Sequence, residues 1–406
     1  MAIQTTSNLS NSVTTVYKSK YLDGVHNRKL YDQIAVPYTE LGADGKSMAE
    51  LFKGTTIYVP FLSDMVPGTT AISQSADVTP QILTDATASV TTTSIGEATQ
   101  FSELLSLQAY TDYTAKAYEK VGQSLMESLD ILAYKAALAA NWVERAAARA
   151  SLDAGTVSHR ASDSIFRKYD GLLQSLEVPG YVGEDGQMAW AAIMHPYVFH
   201  DIQESGNVNA IGVYQDKGIS LNWELGQVGR FRLLSSPYAK VFGAAGADNA
   251  SSYAGTLSAD HDALDTTLTV NATATNSDSG LFLWVGTEET STTFYPTNEP
   301  VKYYSGASGT TLTVIGRGRN GGTRFPHVSG TAVRNADSVY PVLFAGPYSL
   351  VKVFAVETGE YGMTVGPKVQ GTLDQFNILG YKFYGGYAVP SQNFVLRAEF
   401  STSYEA

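Results

Sequence analysis

The chain contains no cysteine, no long apolar run and few charged residues, and each absence narrows what the protein can be. Without cysteine there is neither a disulfide nor a thiolate metal site, and folding in the cytoplasm is permitted. No stretch approaches the ~18 continuous apolar residues of a membrane span, so we expect no membrane segment. Residues 1–15 have neither a basic start nor an apolar run, so we expect no signal peptide.

Charge is scarce, and acids outnumber bases. Charged residues make up 16% of the chain and the net charge is −12, whereas about 25% of the residues of an average soluble protein are charged. Nucleic-acid binding needs a basic surface that neutralises phosphates. The balance therefore argues against a protein that grips nucleic acid, but not against one that encloses it. The 25 Tyr and 16 Phe suit β cores and protein–protein contacts equally.

The most informative feature is a join between an extended segment and a helical one. From Gly54 to Ala115 there is no Lys or Arg, and residues 55–60 and 87–93 have the composition of two exposed strands. A two-stranded ribbon is marginal by itself, so we expect it to rest on a neighbouring copy. Residues 54–100 are therefore predicted to form an extended β-hairpin loop, and residues 1–53 an N-terminal arm.

The helical segment is predicted to run from Thr111 to Ala150. Its apolar residues recur at steps of three and four, which places them on one face of a helix. They are Tyr118, Val121, Leu125, Leu129, Leu132, Ala136, Ala139, Val143 and Ala147. A helix of ~40 residues spans about 60 Å, more than a small globular core needs. A ribbon followed by such a helix is typical of subunits that reach over one another, and it favours a shell or lattice protein over an enzyme.

Residues 101–240 contain this helix and the first part of a mixed core. The other predicted elements are a helix at 162–176 that buries Ile165, Tyr169, Leu172, Leu173 and Leu176, a buried strand at Met188–Met194, a helix at 197–204, and a hairpin within 219–240 around Gly226–Gly229. Residues 335–406 resume a core-like β pattern and end in a closing strand, in which Phe394, Leu396, Ala398 and Phe400 alternate. The fold class is therefore α+β.

Residues 241–334 interrupt this core with a different composition. Val241–Val301 contains eight Asp and Glu residues and no Lys or Arg, and Lys302–Arg334 contains five Lys and Arg residues and no Asp or Glu. The sequence Thr-Thr-Leu-Thr-Val occurs twice, at 266–270 and at 310–314, and Gly-rich turns separate the β signals. We interpret this segment as an inserted all-β module.

Three arginines of the basic part, Arg317, Arg319 and Arg324, are the candidate subunit-interface residues. We predict that they contact a neighbouring subunit or the acidic loop; pairing within the module is the alternative, and exposed pairs contribute only ~0–1 kcal/mol each. Gly316–Gly321 also matches G-x-G-x-x-G, but further glycines and Pro326 follow at once. No helix N-terminus can cradle a phosphate there, so we expect a Gly-rich turn.

Metal and catalytic motifs are sparse. Asp260, Asp262 and Asp265 are weak candidates for calcium ligands, because the glycine and glutamate of an EF-hand loop are missing; a solvated acidic loop is the alternative. The six His form no H-E-x-x-H pattern, and His195 is interpreted as a structural residue at a strand end. No nucleophile motif or phosphate loop is present. We predict no enzymatic activity, no catalytic residue and no cofactor.

The order of these elements resembles that of the major capsid proteins of tailed phages, which have the Hong Kong 97 fold. Four short segments are similar to the branch typified by N-four-type podophages: Tyr31-Asp32-Gln33 in the arm, Met194-His195-Pro196 at a strand end, Gly226-Gln227-Val228-Gly229 in a hairpin, and Gly380-Tyr381-Lys382 near the end. One departure is Asp374-Gln375-Phe376, where the family pattern has Asp-Pro. The resemblance covers nearly the whole chain, and residues 241–334 are similar to a small β module of phage virion proteins.

This resemblance implies an architecture. The hairpin at 54–100 would lie across a neighbouring subunit, and the helix at 111–150 would be the spine along the shell. The core would split into a peripheral domain and an axial domain near the five-fold and six-fold axes. The protein would self-assemble into pentamers and hexamers of an icosahedral shell, which encloses viral double-stranded DNA without sequence-specific binding.

The implied partners are other copies of the chain in neighbouring capsomers, scaffold and portal proteins, and decoration proteins. The implied location is the virion, after assembly in the host cytoplasm. The alternatives are another virion structural protein, from a tail or a decoration layer, and a β-rich carbohydrate-binding adhesin. Rings or tubes would indicate a tail protein, and trimers or monomers an adhesin.

Overall fold

The structure is a computed structural model that describes residues 30–37, 56–62, 65, 67–69, 80–108, 113–182, 188–205, 209–210, 224–243, 245–247, 254–274, 282–289, 295, 297–303, 309–317, 324–355, 360–370 and 375–405. The helices in these ranges are α1 (Glu103–Gln108), α2 (Tyr113–Leu138), α3 (Asp163–Ser175) and α4 (Pro196–Ser205). None of them is long and apolar enough to cross a membrane.

The strands in the same ranges are β1 (Ala35–Pro37), β2 (Thr56–Leu62), β3 (Asp85–Thr91), β4 (Thr93–Ser102), β5 (Val143–Arg145), β6 (Tyr181–Val182), β7 (Met188–Met194), β8 (Asn209–Ala210), β9 (Glu224–Val228), β10 (Phe231–Ser235), β11 (Ala254–Thr256), β12 (Thr267–Ala274), β13 (Phe282–Val285), β14 (Glu299–Tyr303), β15 (Gly309–Arg317), β16 (Ala332–Arg334), β17 (Tyr340–Ala345), β18 (Leu350–Phe354), β19 (Met363–Gln370), β20 (Phe376–Ala388) and β21 (Val395–Phe400). The α+β class predicted from the sequence is confirmed.

These strands form three larger sheets and one hairpin within the described ranges. The eight-stranded sheet has the order β5-β21-β17-β7-β10-β9-β8, with β6 beside β7. The five-stranded sheet has the order β1-β18-β20-β19, with β4 beside β20. The six-stranded sheet has the order β11-β16-β13-β14-β15-β12, and β2 pairs with β3. The five-stranded sheet thus joins the N-terminal segments to the C-terminal part of the chain.

The eight-stranded sheet is buried on both faces. Along β7, Trp190, Ala192 and Met194 face a core shared with α3 and α4, whereas Ala191 and Ile193 face a second core shared with the end of α2. Successive side chains of a strand point to opposite faces. A strand covered on both sides therefore needs an unbroken apolar run, which is the pattern that predicted β7.

Helix α2 is shorter than predicted. It ends at Leu138, so the predicted helix over 111–150 is wrong from Ala139 onward. Val143–Arg145 instead forms β5, which pairs in parallel with β21. Alanine favours a helix only weakly, and pairing at the edge of the buried sheet outweighs that preference. The 26 residues of α2 span about 39 Å at ~1.5 Å per residue.

The buried stripe of α2 follows the prediction over its first half. Val121, Leu125 and Leu129 are buried as predicted, but beyond them Ala133 is buried instead of Leu132. Steps of four residues drift around a helix that has 3.6 residues per turn. The contact line therefore moves along the helix surface instead of following one straight row.

Helix α3 confirms the predicted element but not the whole of its buried face. It covers Asp163–Ser175, one residue less at each end than the predicted 162–176. Leu173 is buried as predicted, but Leu176 is 53% exposed and Phe166 is fully buried. Leu176 follows the last helical residue, so helical periodicity no longer determines the direction of its side chain.

The hairpin β9–β10 confirms another prediction, with its turn displaced. The turn lies at Gly229-Arg230, and Gly229 has a φ of 59°, a left-handed conformation that glycine adopts without strain. The predicted turn at Gly226–Gly229 is therefore wrong in position, because Gly226 to Val228 lie within β9 and pair with β10. The part of the predicted hairpin at 219–223 lies outside the described residues.

Strands β11 to β16 form a closed barrel. The two copies of Thr-Thr-Leu-Thr-Val lie in β12 and β15 and pair with each other in antiparallel register, with Leu268 opposite Leu312. Leu257, just after β11, bridges to Val270 of β12 and closes the sheet on itself. The interior is aliphatic and contains Leu257, Leu268, Val270, Leu283, Val285, Val301, Leu312 and Val333. The repeated sequence therefore supplies two neighbouring strands of one wall.

The segment from Leu30 to Pro37 is bound to α2 by one buried carboxylate. Asp130 Oδ1 accepts the backbone N–H groups of Leu30, Tyr31 and Asp32 at 2.9, 2.7 and 3.0 Å. A short 3-10 helix, Asp32–Ile34, begins at the last of these three donors. Since a buried N–H without a partner is costly, this acceptor determines where the segment lies.

A buried ion pair continues this anchor. Lys352 Nζ lies 2.8 Å from Asp32 Oδ1, and the Tyr387 hydroxyl donates to the same oxygen at 2.6 Å. Next to it, β1 pairs in parallel with β18. Tyr31 is fully buried, and its hydroxyl accepts the Lys240 N–H at 3.1 Å. The N-terminal segment is thus a part of the core.

We expect Asp130→Ala to lower the free energy of unfolding by on the order of 3 kcal/mol, because three buried N–H donors lose their acceptor. Amide hydrogen exchange at residues 30–32 should accelerate in the same variant. The matched control on the same helix is Glu119→Ala, which removes a partly exposed ion pair with Lys116 at 2.9 Å and should cost less than about 1 kcal/mol. Unchanged exchange at residues 30–32 in Asp130→Ala would contradict the anchor.

Candidate functional site

Helix α2 covers only one face of the sheet formed by β4, β20 and β19. Along β20, Leu379, Tyr381 and Phe383 are buried against the helix. Phe376 and Ile378 alternate with them and point to the opposite face, where Phe376 is 41% exposed. The described residues leave this end of the second face uncovered. We refer to it as the open face.

The open face is shallow, apolar and basic. Residues paired directly across strands share a face, and the register places Gly96 and Ala98 of β4 and Val365 and Lys368 of β19 beside the even-numbered residues of β20. Together with Glu97, Ile378, Gly380 and Tyr381 they line a concavity of about 390 Å³. Lys368 and the neighbouring Lys382 supply two positive charges, against the single carboxylate of Glu97.

Two glycines allow the strands of the open face to approach closely. A Cβ at Gly96 would lie 2.7 Å from the Tyr381 carbonyl oxygen, and a Cβ at Gly380 would lie 2.7 Å from the Glu97 carbonyl oxygen. Both distances are too short for any side chain, so glycine is required there. The absence of side chains at these positions keeps the floor of the concavity low.

The β2–β3 hairpin rests partly on its own subunit. Ile57 and Val90, 5% and 0% exposed, pack against Val351 and Val353 of β18. This contact covers the far end of the same sheet face. The expectation that the ribbon finds support only on a neighbouring copy is therefore wrong for its base.

The hairpin also presents apolar side chains that nothing in the described part of the chain covers. Tyr58 is 62% exposed, Ile82 90% and Leu83 45%. Since Gly54–Ala115 contains no Lys or Arg, the hairpin carries only acidic charge. It therefore matches the open face in two respects, because both are apolar and their charges are opposite.

Arg317 lies in a buried intramolecular network and not on a surface. It is 5% exposed, and its Nε and Nη2 lie 2.6 and 3.1 Å from the two carboxylate oxygens of Glu299. It also donates to the carbonyl oxygens of Phe325 and of Asp262 in the acidic loop. The alternative prediction, pairing within the inserted module, therefore holds for Arg317. Contact with the acidic loop is present, but Arg317 is not available to a neighbouring subunit.

The other two candidate arginines differ from Arg317. Arg324 is exposed and stays a candidate for a subunit contact, whereas Arg319 lies outside the described residues.

Burial acts to raise the pKa of Glu299, but hydrogen bonds from His327, Arg317 and the Phe325 N–H lower it further, so that this pKa lies below its ordinary value. Glu299 therefore remains ionised and holds this end of the barrel together.

Two of the candidate calcium ligands, Asp260 and Asp265, accept hydrogen bonds from the backbone. Asp260 Oδ1 accepts the Ser329 N–H at 2.7 Å. Asp265 Oδ2 accepts the Asp262 N–H at 3.0 Å and lies 3.1 Å from His261 Nδ1. The calcium interpretation stays a prediction. These contacts also give Asp260 and Asp265 structural roles that need no ion.

A group of potential metal ligands that the sequence reasoning missed lies on α4. His200 Nδ1 is 3.8 Å from Asp201 Oδ1, and His200 Nε2 is 3.9 Å from Glu204 Oε1. The two acids face different ring nitrogens, and Asp201 also accepts the Ser403 N–H at 3.2 Å. The spacing of four residues between His200 and Glu204 on a predicted helix was the signal that could have found it.

His195 is a structural residue, as predicted. It is 3% exposed at the end of β7, lies against the rings of Tyr197 and Tyr340, and accepts the Tyr197 N–H through Nδ1 at 3.3 Å. Burial lowers its pKa to about 3. Burial therefore favours the neutral ring over the protonated one.

Known proteins provide a comparison for this architecture. No protein-family model matches the sequence, and no curated protein matches it. Solved structures match over nearly the whole chain. The capsid of Ralstonia phage GP4 is 10% identical with a TM-score of 0.57, and covers 96% of both chains. The capsid of cyanophage Pam1 is 11% identical, with a TM-score of 0.52, over 97% of this chain and 98% of that chain.

A third match is the capsid of cyanophage P-SCSP1u, which is 9% identical with a TM-score of 0.51 and covers 96% of this chain and 93% of that chain. The chain therefore has the fold of phage capsid proteins, and the recognition of a tailed-phage capsid fold from the sequence is confirmed. The narrower resemblance to N-four-type podophages stays a prediction.

We expect Arg317→Gln to destabilise the chain by on the order of 3 kcal/mol or more, because it leaves the Glu299 carboxylate buried without its cation. Arg324→Gln should change the free energy of unfolding by less than about 0.5 kcal/mol, because its side chain is exposed. Chemical denaturation of both variants checks this difference. Equal effects would contradict the placement of Arg317 in a buried pair.

We expect His195 to make stability depend on pH below about 6.5, the ordinary histidine pKa. Below this pH the histidine binds a proton in the unfolded chain but stays neutral in the folded state. The free energy of unfolding of wild type should therefore fall by about 1.4 kcal/mol per pH unit, relative to that of His195→Asn, as the pH falls towards 4.5. Denaturation curves at several pH values measure the difference. His200→Gln, at a partly exposed position, should keep the wild-type slope, and a wild-type slope in His195→Asn would refute the assignment.

Proposed function

We propose that this protein is the major capsid protein of a tailed phage, with a Hong Kong 97-type fold, and that it self-assembles into pentamers and hexamers of an icosahedral shell around double-stranded DNA. The observation that carries the proposal is the match to the fold of phage capsids over about 96% of the chain. An exposed acidic hairpin and a complementary open face on one chain also support self-assembly.

The contact that we propose between subunits brings the β2–β3 hairpin of one copy onto the open face of the next. The base of the hairpin already lies on one end of the same sheet face in its own subunit. The exposed Tyr58, Ile82 and Leu83 could bury their apolar surface in the concavity of a neighbour, at about 25 cal/mol per Å². Lys368 and Lys382 would meet a segment that has no positive charge, which favours the correct partner over a copy of the same face.

Residues 241–334 act, in this proposal, as a module inserted into the capsid core. The closed barrel and its separate aliphatic interior support that division. Arg324 is the remaining described candidate for a module contact with a neighbouring subunit. The net charge of −12 suits a shell that encloses DNA without gripping it. Neighbouring capsomers, scaffold, portal and decoration proteins would be the partners, with assembly in the host cytoplasm and a final location in the virion.

We expect the variant Lys368→Glu/Lys382→Glu to fold but to assemble poorly, with particle yield reduced on the order of tenfold, because like charges would then face the acidic hairpin. Electron microscopy of the assembly and circular dichroism of the soluble fraction measure both outcomes. The control variant Lys120→Glu/Arg167→Glu makes the same change in charge at exposed positions of α2 and α3, and it should assemble as wild type does.

Exchanging the charges of the two surfaces tests the hairpin as well as the open face. Replacing Asp64, Asp77 and Asp85 with Lys in the Lys368→Glu/Lys382→Glu background should restore particles. Wild-type yield from the unrescued double variant would eliminate the hairpin contact while leaving the capsid function intact. The capsid function itself fails if wild type, expressed with its scaffold, forms rings, tubes, trimers or monomers instead of closed icosahedral particles.

A further inference from the structure

Three arginines surround one buried carboxylate at the edge of the eight-stranded sheet. Arg397 and Glu399 lie on β21, Arg145 on β5, and Arg149 in the short turn that follows β5. The parallel pairing of β5 with β21 sets Arg145 opposite Glu399. We call this set the arginine cluster. It lies outside the open face, the hairpin and the barrel.

Glu399 is the shared acidic partner of the arginine cluster. Arg145 Nε lies 2.9 Å from one carboxylate oxygen and Arg397 Nε lies 3.2 Å from the other, whereas Arg149 Nε is 3.7 Å away. Glu399 and Arg397 are almost wholly buried, and Arg149 is 8% exposed. The Arg145 side chain is 26% exposed, so water reaches that cation, whereas Arg149 and Arg397 share the single buried carboxylate of Glu399 away from water.

Other charged groups around Arg149 do not restore the balance. Glu289 also acts on it electrostatically, but its carboxylate is already used: Lys240 Nζ lies 2.8 Å from it, and the N–H groups of Gly243 and Tyr295 donate to it at 3.2 and 2.9 Å. The pair of Lys240 with Glu289 is neutral. The surplus positive charge therefore remains in the arginine cluster.

The hydrogen-bond donors of Arg149 are unused. Its Nε, Nη1 and Nη2 are all buried, and none of them has an acceptor among the described residues. The guanidinium carbon lies 3.7 Å from the centroid of the Phe242 ring, which compensates one face of the plane but none of the N–H groups at its edge. By contrast, each guanidinium nitrogen of buried Arg317 donates to an oxygen.

We propose that the arginine cluster binds a small inorganic anion of halide size, held by the unused N–H groups of Arg149. A buried donor without a partner is costly, and a surplus buried charge is costlier still; a single anion removes both costs. A halide suits the site because it accepts several N–H groups at once and needs little space beside Glu399. Burial lowers the pKa of Arg149 to about 10; Glu399 opposes this shift and Arg397 adds to it. The guanidinium is therefore still charged at neutral pH and can bind an anion.

Such an anion would stiffen a specific joint of the fold. Arg145 and Arg149 belong to the segment that leaves α2, and Arg397 belongs to the closing strand, where its Nη1 also donates to the carbonyl oxygen of Leu138, the last residue of α2. A shared anion would therefore tie the end of the long helix to the last strand. This inference does not depend on the proposed capsid function.

The test compares thermal unfolding of the protein in sodium bromide, sodium chloride and sodium gluconate at equal ionic strength. We expect a saturable rise in Tm of about 2 °C or more in both halides over gluconate. Arg149→Gln should abolish that increment. The control Arg167→Gln, at an exposed pair with Asp163 on α3, should retain it. Identical Tm values in the three salts, or an increment that survives in Arg149→Gln, would overturn the proposal.

A direct measurement covers the case in which Arg149→Gln does not fold. Crystals of wild type grown or soaked in sodium bromide should show an anomalous scattering peak in direct contact with the Arg149 nitrogens. A peak there supports the site whatever the variant does. Well-ordered density for Arg149 without a bromide peak would overturn it.

Discussion

A helix can cover only one face of a sheet, and the surface that we propose for assembly follows from that constraint. Helix α2 buries Leu379, Tyr381 and Phe383 on one face of β20 and leaves the other face to be covered by something else. At one end the base of the subunit's own hairpin supplies the cover, through Ile57 and Val90. At the other end Gly96 and Gly380 keep the surface low and Lys368 adds positive charge, which is why we propose that the acidic hairpin of a second copy lies there.

Buried polar groups, and not apolar area alone, determine how the N-terminal segment lies on this frame. Asp130 gathers three amides, and the pair of Asp32 with Lys352 holds the next residue against β18 and β20. Burying charges is expensive, and such pairs stabilise little in net terms. Their effect is selective, because a segment in any other position would leave Asp130 and Lys352 uncompensated in the core.

Periodicity predicted the long, regular elements from the sequence, and failed where tertiary pairing competes with local preference. The apolar run of β7 and the amphipathic helix α3 were found within a residue because one face, or both, must be buried. Val143 fitted the apolar stripe of the long helix, but it pairs with β21 instead. That strand lies some 250 residues further along the chain, so the sequence around Val143 gives no sign of the pairing. The open face was equally hidden, since Lys368 and Gly96 become neighbours only through two strand pairings. Arg317 looked like a surface residue because its partner, Glu299, lies in what reads as a separate acidic segment.

The repeated strand sequence in the barrel has a consequence for crowded assemblies. Two identical stretches that pair with each other could equally pair with the same stretches of another molecule, and a shell brings many copies into close proximity. Leu257 bridges to Val270 and closes the ring, so β12 has a neighbour on each side, and β15 lies between β12 and β14. Closure thus reduces the strand edge that a self-complementary sequence offers to another molecule.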